Sequence, residues 1–129
     1  MNRDTADPTA SRDSQAQHPI AMSWRSTLSE VVARIAAQDY FIQGIASVDS
    51  VPAGTAAQIR DNVAGYGETV VKLPEESWAT SVAQWMGDSW EVLVDLWTEE
   101  SGRSDLVLSV RVFETEVGFR FQVSGVYVP

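Results

Sequence analysis

The stretch DLWTEESGRSDL, Asp95–Leu106, places four carboxylates and one arginine around Gly102. On either side the pattern is that of strands. Trp90–Trp97 before it and Leu106–Glu114 after it carry apolar residues at every second position, so each shows one face to a core. The stretch is therefore expected to connect an antiparallel hairpin. If Leu96 stands opposite Leu106, Asp95 falls beside Val107 and Glu91 beside Arg111. The connection would then be Trp97–Asp105, longer than a two-residue turn. In this reading Gly102 supplies a positive φ and Asp105 accepts backbone N–H bonds from the turn. Arg103 reaches Glu99 or Glu100, which project outward.

Working outward, Phe119–Val128 alternates in the same way and follows a Thr115–Gly118 turn. Upstream, Glu68–Leu73 reads as a short strand ended by Pro74. Ser77–Met86 fits helical and strand spacing alike, and the strand is preferred because Gly87-Asp88 makes a compact turn into Trp90. Trp90, Val92, Val94 and Leu96 share one face with Leu106, Leu108, Val110, Val112, Phe119, Phe121, Val123 and Tyr127. The other face carries Glu91, Leu93, Asp95, Trp97, Arg111, Phe113, Arg120 and Gln122. It is half-polar with aromatic islands, as a partly solvated or docking face would be.

The first half of the chain has the helical period instead. Thr27-x-x-Glu30 fits a capping box, followed by an apolar stripe of Leu28, Val31, Val32, Ile35 and Ala36, with Gly44 as the stop. A second, shorter helix is expected after Val51-Pro52, with Thr55-x-x-Gln58 as its capping box. Ile59 and Val63 form its stripe, and Gly65 or Gly67 its end. These helices are the available cover for the apolar sheet face. The expected fold is therefore α+β, with two N-terminal helices packed on one face of a four- to five-stranded antiparallel meander. Residues 1–22 are polar and aperiodic and are expected to form a disordered tail, leaving residues 23–129 as a single domain.

Composition excludes several functions. The chain of 129 residues has no cysteine and a formal net charge of −9. Disulfide frameworks and thiolate zinc sites are ruled out. No apolar run approaches the roughly 18 residues of a membrane span, and the N-terminus lacks a secretory pattern, so a cytoplasmic location is expected. A net negative surface repels phosphate backbones and anionic lipid, which argues against nucleic-acid and membrane partners and for a basic protein partner. The oligomeric state is left open.

The acidic hairpin has two sharper readings. Asp95, Glu99, Glu100 and Asp105 are oxygen donors suited to calcium or magnesium, but their spacing does not follow a calcium loop, and no metal or cofactor is expected. Glu91 and Asp95 share a sheet face, yet Arg111 and Arg120 beside them would lower carboxylate pKa values and favour ion pairing over acid–base chemistry. Nucleophilic catalysis lacks a base, because His18, the single histidine, lies in the tail. Gly65-Tyr66-Gly67 precedes a strand, not a helix, and so makes no phosphate cradle. Four of the five tryptophans, Trp78, Trp85, Trp90 and Trp97, fall close together. Most belong to the core, but one or two could anchor an interface or floor a pocket.

The run LVDLWTEESGRSDLVLSVRV, with WMGDSWEV before it, resembles small bacterial proteins and domains of unknown function that carry a D-L-W-T-x-E-x-G-R-S-D-L signature. The resemblance covers roughly residues 66–129 and implies no activity. In size and composition the chain is similar to immunity partners of bacterial toxins. The expected function is a non-enzymatic protein-interaction module, of immunity or regulatory type. Its surface would comprise Asp95, Trp97, Glu99, Glu100, Arg103, Asp105, Arg111 and Arg120. The alternative is a small-ligand-binding domain with a Trp/Arg-lined pocket between sheet and helices. Third comes an enzyme working with Asp, Glu and Arg alone.

Overall fold

The computed structural model describes residues 10–129. Five strands form one antiparallel meander in sequence order: β1 (His18–Pro19), β2 (Val82–Trp85), β3 (Trp90–Thr98), β4 (Gly102–Thr115) and β5 (Gly118–Tyr127). Two helices, α1 (Arg25–Ala36) and α2 (Ala53–Tyr66), precede strands β2 to β5. The α+β class and the antiparallel sheet follow the periodicity. Period two runs through β3 and β4, where Trp90, Val92, Val94, Leu96, Leu106, Leu108, Val110 and Val112 are all buried. Leu28, Val31, Val32 and Ile35 of α1 and Ile59 and Val63 of α2 join these residues in one core cluster. Trp24 lies at one end of the core, edge-on to Trp90 at 5.1 Å and to Phe119 at 5.4 Å.

Helix boundaries depart from the capping-box readings. α1 begins at Arg25, straight after a 3-10 turn at Met22–Trp24, so Thr27 lies inside its first turn and caps nothing. It ends at Ala36, well before Gly44. Gln38 takes the left-handed conformation, φ +63°. Its N–H donates to the Ile35 carbonyl (2.9 Å) and the Asp39 N–H to the Arg34 carbonyl (2.8 Å). That is the Schellman pattern, built on glutamine where glycine is usual. α2 has 14 residues against 12 in α1, and so is the longer helix. It starts after Pro52 with no side-chain cap and ends at Gly67, φ +82°. Gln58 is not a cap residue: its amide donates to the Val126 carbonyl (3.3 Å), as does that of Asn62 (2.7 Å). These bonds tie α2 to the outer edge of β5.

Three strand expectations change. Glu68–Leu73 is not a strand: Val70 makes a single antiparallel bridge to Thr98. Ser77–Met86 divides into a 3-10 turn at Glu75–Ala79 and the four residues of β2. The turn covers β3 beyond the end of β2, where Ser77 Oγ donates to the Asp95 carbonyl (2.8 Å) and the Asp95 N–H donates to Ser81 Oγ (2.9 Å). β5 changes phase at a bulge, since Val123 pairs with Val110 whereas Gly125 pairs with Ser109. Val126 is therefore buried in place of Tyr127, which lies half-buried on the other side. A Cβ on Gly125 would lie 2.7 Å from Gln58 Oε1, so the bulge brings the backbone close under α2.

The disordered-tail expectation fails for residues 10–22, and residues 1–9 lie outside the described part. Ile20 and Ala21 are fully buried, and His18–Pro19 pairs with Ala83 and Val82 of β2. The segment has no periodicity because it is held by separate contacts along its length and not by one repeating face.

Candidate functional site

The hairpin between β3 and β4 is tighter than its length suggested. Asp95 pairs with Val107 and Glu91 with Arg111, as the register required. The ladder then continues past an irregularity. Between the pairs Asp95–Val107 and Trp97–Arg103, β4 has three residues where β3 has one, and Thr98 pairs with Gly102. Only Glu99, Glu100 and Ser101 form the connection. Gly102 is left-handed, φ +73°, and an added Cβ would lie 3.6 Å from the Trp97 ring. The residue that stitches the irregularity is Ser104, not Asp105. The buried Ser104 hydroxyl donates to the Leu96 carbonyl (2.8 Å) and accepts the Leu106 N–H (3.1 Å). Asp105 is exposed, and its N–H donates to the Tyr66 hydroxyl (3.0 Å). Arg103 is exposed and makes no ion pair with Glu99 or Glu100 among the described residues.

The acidic tip does not project freely. The segment after α2 closes over it. The Val71 N–H donates to the Trp97 carbonyl (3.0 Å) and the Glu99 N–H to the Thr69 carbonyl (2.9 Å). Glu100 accepts both the Thr69 N–H and its hydroxyl, each at 2.8 Å. The N–H bond from Thr69, with the hydroxyl bond behind it, holds the Glu100 carboxyl below its ordinary value of 4.5. Glu68 spans the turn from the other side, accepting the Thr98 hydroxyl (2.7 Å) and the Ser101 hydroxyl (2.8 Å). Glu68 was not among the expected site residues; the strand assigned to Glu68–Leu73 concealed its role. Asp95, Glu99, Glu100 and Asp105 do not converge, and no group of three metal-ligating side chains is gathered among the described residues.

The remaining expected residues lie on the second face of the sheet. Leu93, Trp97, Phe113 and Tyr127 are half-buried there and Val107 is buried, yet none of the five belongs to the core cluster or packs against it. They form an interrupted apolar strip, broken along its strands by Asp95, Ser109 and Arg111. Asp95 stands beside Val107 and Tyr127 across the three strands. Next to the strip, Arg111 and Arg120 lie over Phe113, at 5.5 Å and 4.5 Å from its ring centre. Arg111 donates to Ser89 Oγ (2.8 Å) and faces Asp88 (3.5 Å), not Glu91, while Arg120 pairs with Asp49 (3.3 Å). The indole N–H of Trp97 is buried and finds no hydrogen-bond partner among the described residues.

Two adjoining clefts of about 220 and 230 Å³ open near the ends of the helices and share Gln38 and Tyr40. The first is lined by Ile35, Val63 and Val70, the second by Phe41, Ala56 and Arg60. No tryptophan lines either one.

A five-stranded meander, two helices and a hairpin clasped by the segment after α2 define a small α+β domain with a second apolar strip on its sheet. Residues 32–129 match the family described as Domain of unknown function (DUF7668), and the chain belongs to that family. The match begins within α1. No curated protein matches the chain. No solved structure matches it. No helix among the described residues is long and apolar enough to cross a membrane.

Proposed function

We propose that this domain is a non-enzymatic protein-interaction module, an immunity-type or regulatory partner, that docks through its second sheet face. This reading takes both helices to cover the Trp90–Leu96 side, leaving the other side for a partner. The observation that carries it is the strip Leu93, Trp97, Val107, Phe113 and Tyr127, apolar and aromatic yet outside the core cluster. Aromatic residues and arginine are the side chains that concentrate binding energy at interfaces, and Arg111, Phe113 and Arg120 stack side by side here. Glu91, Asp95, Arg103 and Asp105 supply a polar rim. The net charge of −9 favours a basic protein and disfavours nucleic acid and anionic membrane. The acidic tip contributes less than its composition suggested, because Glu100 is committed to Thr69, leaving Glu99 and Asp105 to face a partner. The location is cytoplasmic in this reading.

The test is affinity capture from the native host with wild type, Phe113→Ser and, as a control on α2, Arg60→Glu. A partner held by wild type and the control but lost by Phe113→Ser, at unchanged melting temperature, supports the face. Equal capture by all three removes it. A second reading, small-ligand binding, draws on the cleft pair, both of which Gln38 lines at a left-handed φ of +63°.

A further inference from the structure

Residues 11–19 run along the sheet's outer edge as a strap. The Trp90 indole N–H donates to the Ser11 carbonyl (2.8 Å), and the Gln84 side-chain amide donates to the Ser14 carbonyl (3.0 Å). His18–Pro19 pairs with β2. The Arg12 guanidinium lies 4.7 Å from the Trp85 ring centre and 5.3 Å from that of Trp90, and is ion-paired with Glu114. Arg12 apart, these contacts read backbone only. Two indoles and a carboxylate make a cage for a planar cation, set at one end of a strand edge that accepts extended chain.

The strap lies mostly at the surface. Residues 12–17 are exposed, Ala10 just before them packs on the core cluster, His18 is half-buried, and full burial starts at Ile20. Arg25 fixes that point, donating twice to the Ile20 carbonyl at 3.1 and 3.0 Å. Within the strap, Asp13 accepts the Gln15 N–H (2.9 Å) and pairs with His18 (3.1 Å), contacts that bend it without binding it to the sheet. The groove residues Gln84, Trp85, Trp90 and Glu114 all fall within the family match at 32–129, whereas the strap falls outside it.

We propose that this groove is a docking site for an extended, arginine-bearing segment of another protein, and that residues 11–19 occupy it in cis as a competing stand-in. The ligand adds a strand along β2, offers carbonyls to Trp90 and Gln84, and places a guanidinium between Trp85, Trp90 and Glu114. An acidic domain attracts such a cationic segment. The tethered strap competes at an effective concentration of about millimolar, so the site opens to strong ligands or when Arg12 is disengaged.

The full chain carrying Arg12→Glu sets a like charge against Glu114 and should release the strap. The probe is the synthetic peptide ASRDSQAQHP, titrated while the indole N–H resonances of Trp85 and Trp90 are followed by NMR. Saturable shifts are expected with Arg12→Glu, at least tenfold tighter than with wild type. They should be lost when the peptide's arginine is replaced by glutamine, and weakened by adding Glu114→Gln to the protein. Should Arg12→Glu not fold, judged by its melting curve, Arg12→Gln carries the same titration. The proposal is overturned if the peptide produces no saturable shift, if wild type and variant bind alike, or if the glutamine peptide binds equally well. It is also overturned in favour of a second copy if wild type forms a concentration-dependent dimer that Arg12→Glu abolishes.

Discussion

Thr98 is the hub of the clasp at the hairpin tip, and replacing it by valine tests whether that loop is structural. The side chain is 3% exposed, so valine fills the same space. The hydroxyl donates to Glu68 (2.7 Å) and accepts the Ser101 N–H (3.1 Å), and both bonds vanish with it. A net contribution of about 1 kcal/mol per bond, less what water restores to the partly exposed Glu68 and exposed Ser101, sets the loss at about 1–2 kcal/mol. For a domain of this size that lowers the melting temperature by about 3–8 °C. Glu99→Ala is the matched comparison, because Glu99 contributes only its backbone N–H to the clasp. It should change stability by less than about 0.5 kcal/mol. Urea unfolding followed by tryptophan fluorescence measures both variants. A Thr98→Val loss no larger than that of Glu99→Ala would refute the clasp and return the loop to a solvated turn.

Other outcomes follow from the same geometry. Gly102→Val should cost about 1–3 kcal/mol from φ +73° alone, since its Cβ would meet the Trp97 ring at an ordinary contact distance; thermal unfolding checks it. Ile59→Ala, at a fully buried position of α2, should cost about 2–5 kcal/mol in urea. Glu100 is held below its ordinary value, so the stability it adds is complete above pH 4.5 and is lost as pH falls through its lower folded value. Glu100→Gln should therefore flatten the acid limb of a stability–pH profile, and an unchanged limb would deny Glu100 its bonds to Thr69. A double-mutant cycle on Glu91 and Arg111 should give a coupling of about 0.2–1 kcal/mol, because Arg111 turns to Ser89 and Asp88.

The sequence by itself determined the fold class, the β3–β4 register as far as Asp95–Val107 and the turn glycine, because each rests on local physics. Alternation on Trp90–Leu96 and Leu106–Val112, broken only by Leu93 and Val107, marks one core face, and a one-residue slip would turn both strands inside out. Gly102 was legible because left-handed backbone next to a strand end strongly favours glycine. Capping boxes misled because a matching spacing does not show that the backbone is at a helix start; Thr27 and Thr55 both lie inside their helices. What only the tertiary structure decided was the duty of polar residues. Glu68, Thr98 and Ser101 meet from segments some thirty residues apart, and Gln58 reaches β5 across the chain. Hydrogen bonds between distant segments leave no period in the sequence. Arg12 shows the same limit: its cage of Trp85, Trp90 and Glu114 exists only once the sheet has formed, so nothing in the polar run around it marks it out.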